Sequence, residues 1–222
     1  MQFIYHIEAQ KTTLSLDAKE YAHVLKVRRS KVGDELFFRN MSDDVLYKYK
    51  IIDINKKFAS LDLIGEEHLK IEAARYLHVG WCVVDPKIIE KTIPYLNELG
   101  VAKISFVYCE FSQKNFKIDL NRIERILINS SQQCGRSKMM EIEIVDSLKD
   151  YFMLYPKSKM IDFSENKLQK ENDLSSFLIG CEGGFSNVER NLFAHIDKIG
   201  LQTPMVLRSE TALISICSLV LT

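Results

Sequence analysis

The residue types with most chemical potential lie between Ser176 and Ser186, in the run Ser176-Phe177-Leu178-Ile179-Gly180-Cys181-Glu182-Gly183-Gly184-Phe185-Ser186. An apolar stretch enters a turn with three glycines, and Ser186-Asn187-Val188-Glu189 has the spacing of a capping box that opens a helix. Glycines at such a strand-to-helix turn let backbone amides approach a ligand and permit positive φ. In open α/β sheets ligands bind at the carboxyl ends of strands. The competing reading is a tight turn with no ligand. The pattern is neither Gly-x-Gly-x-x-Gly nor Gly-x-x-x-x-Gly-Lys-Ser/Thr, so it lacks the phosphate-cradling fingerprints. Glu182 would repel a phosphate and suits a neutral or cationic ligand.

A second cluster, Pro204-Met205-Val206-Leu207-Arg208-Ser209-Glu210-Thr211-Ala212-Leu213, lies near the C-terminus. Its pattern predicts a short apolar strand over 205–207, Ser209 as a helix cap, and an apolar helix over 210–221. Arg208 then sits at a strand's carboxyl end beside a helix N-terminus, a place that favours polar or anionic groups. The alternative is an Arg208–Glu210 surface pair with a core helix behind it.

Basic residues concentrate in two places. Lys26-Val27-Arg28-Arg29-Ser30-Lys31 holds four cations in six residues, with His23 one turn earlier. Arg136 follows Gly135 after Gln132-Gln133-Cys134. Such clusters contact a nucleic-acid backbone, or merely end a solvated helix.

The elements that must position these groups fall into two parts, 1–70 and 71–222. The first reads as mostly β. A short helix is signalled by Asp17-Ala18-Lys19-Glu20 ahead of Tyr21, Val24 and Leu25, and strands are expected at 36–41, 45–54 and 58–64. Several short strands in this length predict a small barrel. The polar stretch Gly65–Glu72 reads as a linker. Beyond it strands (76–84, 103–109, 159–163, 177–180, 205–207) alternate with helices (87–99, 119–133, 187–198, 210–221). That alternation predicts an α/β domain with a largely parallel sheet. Pro94 implies a kink or a later start in the first helix. The helix after the glycine loop should bury Val188, Leu192, Ile196 and Ile199 on one face. The polar run 163–176 reads as a mobile loop.

Bulk properties set limits. The 222 residues are 46% hydrophobic and 27% charged, enough for a sizeable core and against wholesale disorder. Lys plus Arg equals Asp plus Glu at 30 each, so net charge says nothing of a nucleic-acid partner. No run approaches the ~20 apolar residues of a membrane span, and the first residues lack the pattern of a signal peptide. Five dispersed cysteines with no Cys-x-x-Cys pair argue against a disulfide framework or a metal site and fit buried thiols in a reducing cytoplasm.

Four blocks together resemble one family, the bacterial small-subunit ribosomal RNA uridine-N3 methyltransferases of the knotted SPOUT class. They are His23-Val24-Leu25-Lys26-Val27-Arg28 with Val32-Gly33-Asp34; Glu98-Leu99-Gly100-Val101; Gln133-Cys134-Gly135-Arg136-Ser137; and Ile179 to Ser186 with Leu207-Arg208-Ser209-Glu210-Thr211-Ala212. The resemblance implies an N-terminal PUA-like β-barrel that grips RNA and a C-terminal SPOUT α/β domain with a deep trefoil knot. It implies a homodimer, and a uridine in the decoding region of 16S rRNA or the small ribosomal subunit as target. It implies S-adenosyl-L-methionine as cofactor, whose cationic sulfonium suits Glu182. Leu178, Ile179, Gly180, Glu182, Gly183, Gly184, Thr203, Met205, Val206, Leu207, Ser209, Thr211 and Ala212 would hold it. RNA would be bound by His23, Lys26, Arg28, Arg29, Lys31 and Arg136. The sequence departs from the family pattern in several places. Cys181 stands for a usual proline. Gln202-Thr203-Pro204-Met205 stands for a stretch with glycine and arginine. Cys134 replaces a small polar residue, Val84-Asp85-Pro86-Lys87 matches only loosely, and Tyr95 replaces a lysine.

Arg208 is expected to stabilise charge on the uracil carbonyls, while Glu182 or Glu210 accepts the N3 proton or orients Arg208. The rivals are a noncatalytic RNA-binding protein of the same fold, a knotted methyltransferase of another RNA such as transfer RNA, and a nucleotide-using enzyme. Binding of S-adenosylmethionine separates the first and last from the methyltransferase reading.

Overall fold

The computed structural model describes residues 2–17, 30–55, 58–169 and 173–222. The expected helix after Asp17, with His23, Lys26, Arg28 and Arg29, lies outside the described residues. The chain groups into two units: Met1–Glu72 with Ile128–Met139, and Ala73–Leu127 with Met140–Thr222.

The first unit is built on β1 (Ile4–Tyr5), β2 (Thr13–Asp17), β3 (Glu35–Arg39), β4 (Val45–Ile54) and β5 (Phe58–His68), in the order β1-β3-β4-β5-β2. The pairs are antiparallel except β1 with β3. Alternation explains the strands: Tyr47, Tyr49 and Ile51 of β4 are buried with Leu14, Leu16, Leu36, Phe38, Ala59 and Leu61 from the other strands. The Tyr49 hydroxyl donates to the Lys11 carbonyl at 2.6 Å, which satisfies it inside the core. Irregularities in the β4–β5 register at Lys48/Tyr49 and Ile51/Asp53 add twist. The sheet is curled into a half-barrel and not a closed barrel: β1 and β2 form opposite edges. The expected linker is corrected too. β5 continues through Gly65 to His68, paired with Val45. Its polar residues Glu66, Glu67 and His68 are exposed, and the ten-residue β4 supplies partners along that length.

Residues 128–139 join this unit through specific bonds. Gln132 Oε1 accepts from Tyr5 N–H at 2.9 Å. Ser137 Oγ donates to Asp44 at 2.8 Å, and Lys138 Nζ stands 3.1 Å from the same carboxylate. The hydrogen bond from Ser137, with Lys138, holds the Asp44 carboxyl below its ordinary range.

The second unit carries six parallel strands in the order β11-β9-β10-β6-β7-β8: β6 (His78–Cys82), β7 (Lys103–Val107), β8 (Glu141–Val145), β9 (Lys159–Ile161), β10 (Ser176–Ile179) and β11 (Lys198–Ile199). Every residue of β6 is buried, as befits a central parallel strand. The helices are α1 (Pro86–Leu99), α2 (Leu120–Cys134, which from Ile128 groups with the first unit), α3 (Leu148–Leu154), α4 (Asn187–Leu192) and α5 (Ser209–Leu221). Asp85 caps α1 by accepting from Lys87 N–H at 2.8 Å, and Gly100 ends it at φ 95°. α1 starts at Pro86 and continues through Pro94 instead of starting late. Its Ile89, Ile93 and Leu96 are buried, and α1 packs against α5.

Several expectations fail here for identifiable reasons. α4 stops at Leu192, and Val188 and Leu192 are 68% and 61% exposed. Phe193 is buried instead, and Ile199 is buried as expected but in β11 and not on a helix, so strand pairing overrides helical periodicity. No strand forms over 205–207; Met205 and Val206 are 70% and 81% exposed. The run 163–176 is not simply a loose loop. Gly200 N–H donates to the Asn166 carbonyl and Leu168 N–H to the Gly200 carbonyl, each at 2.9 Å, and Leu168 is buried.

Candidate functional site

A cleft of about 230 Å³ opens at the carboxyl ends of β9, β10 and β11, against the first turn of α5. It takes in the glycine loop, the stretch Thr203–Leu207 without Pro204, and Asp162-Phe163 after β9. This is where the topology of a parallel sheet places ligands.

Close packing shapes the glycine loop. A Cβ on Gly180 would stand 2.9 Å from Gly184 Cα, and one on Gly183 3.1 Å from the Phe111 side chain. Gly184 has φ 66° and donates its N–H to the Cys181 carbonyl at 2.9 Å. Only glycine tolerates these contacts and this turn without strain. The expected capping box is present: Ser186 Oγ accepts from Glu189 N–H at 3.1 Å, and Glu189 Oε2 accepts from Ser186 N–H at 2.9 Å. Glu189 Oε1 also accepts from Glu110 N–H at 2.8 Å, tying the loop after β7 to the start of α4.

One buried hydroxyl joins the glycine loop to the C-terminal segment. Ser209 Oγ donates to the Gly180 carbonyl at 2.6 Å and accepts from Trp81 Nε1 at 2.9 Å. Ser209 is therefore not the helix cap that its position predicts. The cap residue is Arg208, which makes no side-chain capping bond, and Ser209 spends its hydroxyl on the loop. The role of Trp81 was invisible in the sequence, because its partner lies 128 residues away.

Of the residues expected to hold the cofactor, Ile179, Gly180, Glu182, Gly183, Gly184, Thr203, Met205, Val206, Leu207, Ser209 and Ala212 line the cleft. Leu178 and Thr211 do not. The Leu178 side chain is fully buried beneath Gly80, and Thr211 is exposed. Of the three expected catalytic residues only Glu182 lines the cleft, and it is exposed there. Arg208 is exposed at the head of α5, and no salt bridge joins it to Glu210 or another described residue. Glu210 lies in the first turn of α5, where a carboxylate suits the helix dipole. Its Oε2 is buried and has no hydrogen-bond partner among the described residues, an acceptor held in reserve.

The cleft also has walls that the sequence did not announce: Ile161, Asp162, Phe163, Lys167, Arg190 and Gly200. Arg190 grips Asp162 through both oxygens, Nε at 2.7 Å and Nη2 at 3.0 Å, a fork that fixes the wall. That bond with Asp162 raises the Arg190 pKa. A Cβ on Gly200 would come within 2.4 Å of the Ser164 carbonyl. The ends of β9 and β11 were the one available signal for these residues.

The basic residues distribute differently from expectation. Lys31 is exposed, with its N–H donating to Asp34 at 2.8 Å. Arg136 is only 9% exposed, and its Nε donates to the Lys138 carbonyl at 2.9 Å. Burial lowers its pKa. Little of that guanidinium is presented to a phosphate. Among the described residues no group of three or more His, Cys, Asp or Glu is placed to hold a metal, and no helix is long and apolar enough to cross a membrane.

Comparison with known proteins points the same way. Residues 72–221 match the RNA methyltransferase domain family, and residues 16–64 match the RNA methyltransferase PUA domain family. The chain is 40% identical, over 99% of both chains, to ribosomal RNA small subunit methyltransferase E of Helicobacter pylori. It is 27% identical to the enzyme of that name from Aquifex aeolicus, over 100% of this chain and 99% of the other. A Legionella pneumophila methyltransferase solved with bound SAM superimposes at TM-score 0.78, with 25% identity over 93% of this chain and 90% of that one. The Neisseria gonorrhoeae ribosomal RNA small subunit methyltransferase E shares the fold at TM-score 0.79, with 19% identity over 98% and 95%.

Proposed function

The chain belongs to the RNA methyltransferase family of the ribosomal RNA small subunit methyltransferase E enzymes, and from that premise we propose that it methylates N3 of a uridine in the decoding region of 16S rRNA. It is an S-adenosylmethionine-dependent methyltransferase of small-subunit ribosomal RNA. The choice of N3 and of the decoding region rests on the four sequence blocks. The observation that carries the assignment of the site is the Ser209 hydroxyl on the Gly180 carbonyl, which welds the two chemically loaded segments into one cleft.

The residues present fit S-adenosylmethionine. Gly180 and Gly183 allow the tight packing against Gly184 and Phe111 that holds the loop in shape at the cleft wall. Ile161, Ile179 and Ala212 offer an apolar wall for an adenosine moiety. Glu182, exposed in the cleft wall, favours a positive sulfonium. When bound, the cofactor supplies an electrophilic methyl group. The chain's own work is to align the uracil ring and ease loss of the N3 proton. Arg208, exposed and unpaired with Glu210, stabilises negative charge that develops on the uracil carbonyls. Glu182 or Glu210 accepts the proton or orients Arg208. The base must leave its stack, because N3 is hidden when paired. Lys31, with His23, Lys26, Arg28 and Arg29, binds RNA phosphates.

The C-terminal domain forms a trefoil knot and pairs with a second copy as a homodimer, in the cytoplasm. The exposed apolar side chains of Met205, Val206 and Phe163 in the cleft wall support that pairing.

Arg208→Ala tests the assignment. Turnover on small ribosomal subunits should fall by about 10²–10³-fold, while calorimetry finds cofactor affinity within threefold of the parent. Near-normal turnover would remove Arg208 from catalysis. In a deletion strain, mapping of modified uridines should show loss of one N3-methyl mark, and an unchanged profile would reject the substrate.

A further inference from the structure

Cys181 begins the turn of the glycine loop, and its sulfur turns away from solvent. Its Sγ lies 3.6 Å from Cys109 Sγ, and both residues are 5% exposed. The two thiols come from different loops, one after β7 and one after β10. Ser112 fixes the Cys109 side: its Oγ is 3.2 Å from Cys109 Sγ and donates to the Val83 carbonyl at 2.9 Å. Cys181 also forms part of the cleft wall, so a small oxidant admitted to the cleft approaches the thiol pair from the Cys181 side.

We propose that Cys109 and Cys181 form a thiol-oxidation site in which hydrogen peroxide creates a reversible disulfide that displaces the glycine loop and lowers cofactor affinity. The effect on cofactor rests on the proposed function; formation of the bond does not. The Cys109 sulfur attacks one peroxide oxygen, the O–O bond breaks, and the thiol proton leaves with the released oxygen as water. Cys181 sulfur then attacks the sulfenic sulfur, the S–O bond breaks, and a second water departs with the remaining thiol proton. Two thiols and one peroxide thus give one disulfide and two waters. Hydrogen bonds with Cys181 and Cys82 favour the Cys109 thiolate, the form that attacks peroxide, while the bond to Cys109 and burial keep Cys181 a thiol until it resolves the sulfenic acid. A disulfide holds its sulfurs at about 2.05 Å, so the two sulfurs must close by roughly 1.5 Å and draw their loops with them. That movement pulls on Gly180, whose carbonyl is held by Ser209 and whose α-carbon faces Gly184 without slack.

The full-length protein is treated with hydrogen peroxide at neutral pH and digested without reductant. Mass spectrometry should find a peptide linking Cys109 to Cys181, and calorimetry should find S-adenosylmethionine affinity at least tenfold weaker, restored by dithiothreitol. Cys109→Ser should bind cofactor as the parent does and be indifferent to peroxide; Cys109→Ala serves if the serine variant folds poorly. A Cys82–Cys109 link, no link while other thiols oxidise, or a linked protein that binds cofactor normally overturns the proposal. Reduced protein that ignores S-adenosylmethionine sinks the cofactor reading instead, and the linked peptide alone then decides the oxidation site.

Discussion

The two ends of the parallel sheet are built on opposite plans. At the carboxyl end the chain offers glycines, backbone groups and, in the first turn of α5, a carboxylate oxygen with no partner among the described residues. At the amino end polar side chains interlock. His78 Nε2 lies 2.7 Å from Ser105 Oγ, and Ser105 in turn donates to Glu143. Tyr155 donates to the same Glu143 oxygen at 2.5 Å, and Lys103 Nζ stands 3.0 Å from its other oxygen. Ser176 bridges His78 Nδ1 to Ser158 at 3.1 and 3.0 Å, and Tyr151 reaches Ser158 at 2.7 Å. Burial alone would raise the Glu143 carboxyl, but hydrogen bonds from Ser105, Tyr155 and Lys103 hold it below its ordinary value. Burial likewise opposes the charge on Lys103, and its bonds to Tyr155 and Glu143 more than offset that. A network with its partners inside the protein stabilises the fold; a half-open one is kept for a ligand.

The sharpest way to break this contrast is at Glu143. Glu143→Ala strands Lys103, Ser105 and Tyr155 together and should cost about 2 kcal/mol in urea unfolding, with cofactor affinity unchanged by calorimetry. A large loss of affinity would show that the two ends are coupled. Gly180→Ala should do the reverse. Its Cβ meets Gly184 backbone, so cofactor binding weakens at least tenfold, about 1.4 kcal/mol, with a smaller change in Tm. Gly80→Ala is the companion control: its Cβ would stand 2.6 Å from the Tyr151 ring, and stability, read by Tm, should fall before binding does.

Acid offers a subtler separation. Burial, helped by Lys103, pushes the His78 pKa down from 6.5 to about 4. Above pH 6.5 the imidazole is neutral in both states and the stability is fully present. Between 6.5 and 4 the unfolded chain takes up a proton that the folded one refuses, so stability declines as pH falls through this window. His78→Gln should flatten that part of the urea-midpoint profile; an unchanged slope would show that other groups set it. The smallest effect is expected on the surface of the other unit. Lys70 and Glu72 pair there while half exposed, and Lys70→Ala should change stability by less than about 0.5 kcal/mol and leave both ends of the sheet untouched.

Much of this arrangement was legible before any coordinates. The glycine turn and its capping box are local chemistry, so four consecutive side chains announce them. β3, β4, the first part of β5 and α1 follow from periodicity and caps, whereas the edge strands β1 and β2 carried no such signal. What failed did so where distant partners decide. Val188 and Leu192 have helical spacing, yet β11 claims Ile199 and leaves them exposed. The polar tail of β5 reads as a linker, yet β4 pairs with it.

The sequence by itself determined that a glycine turn, a capped helix and an apolar C-terminal helix would form, because these need only neighbours within one turn of chain. Only the tertiary structure decided that Trp81, Ser209 and Gly180 share one hydroxyl, that Asp162 and Arg190 wall the cleft, and that Cys109 meets Cys181. Each of those pairings spans dozens of residues, and only the order of strands in the sheet brings such groups within bonding distance.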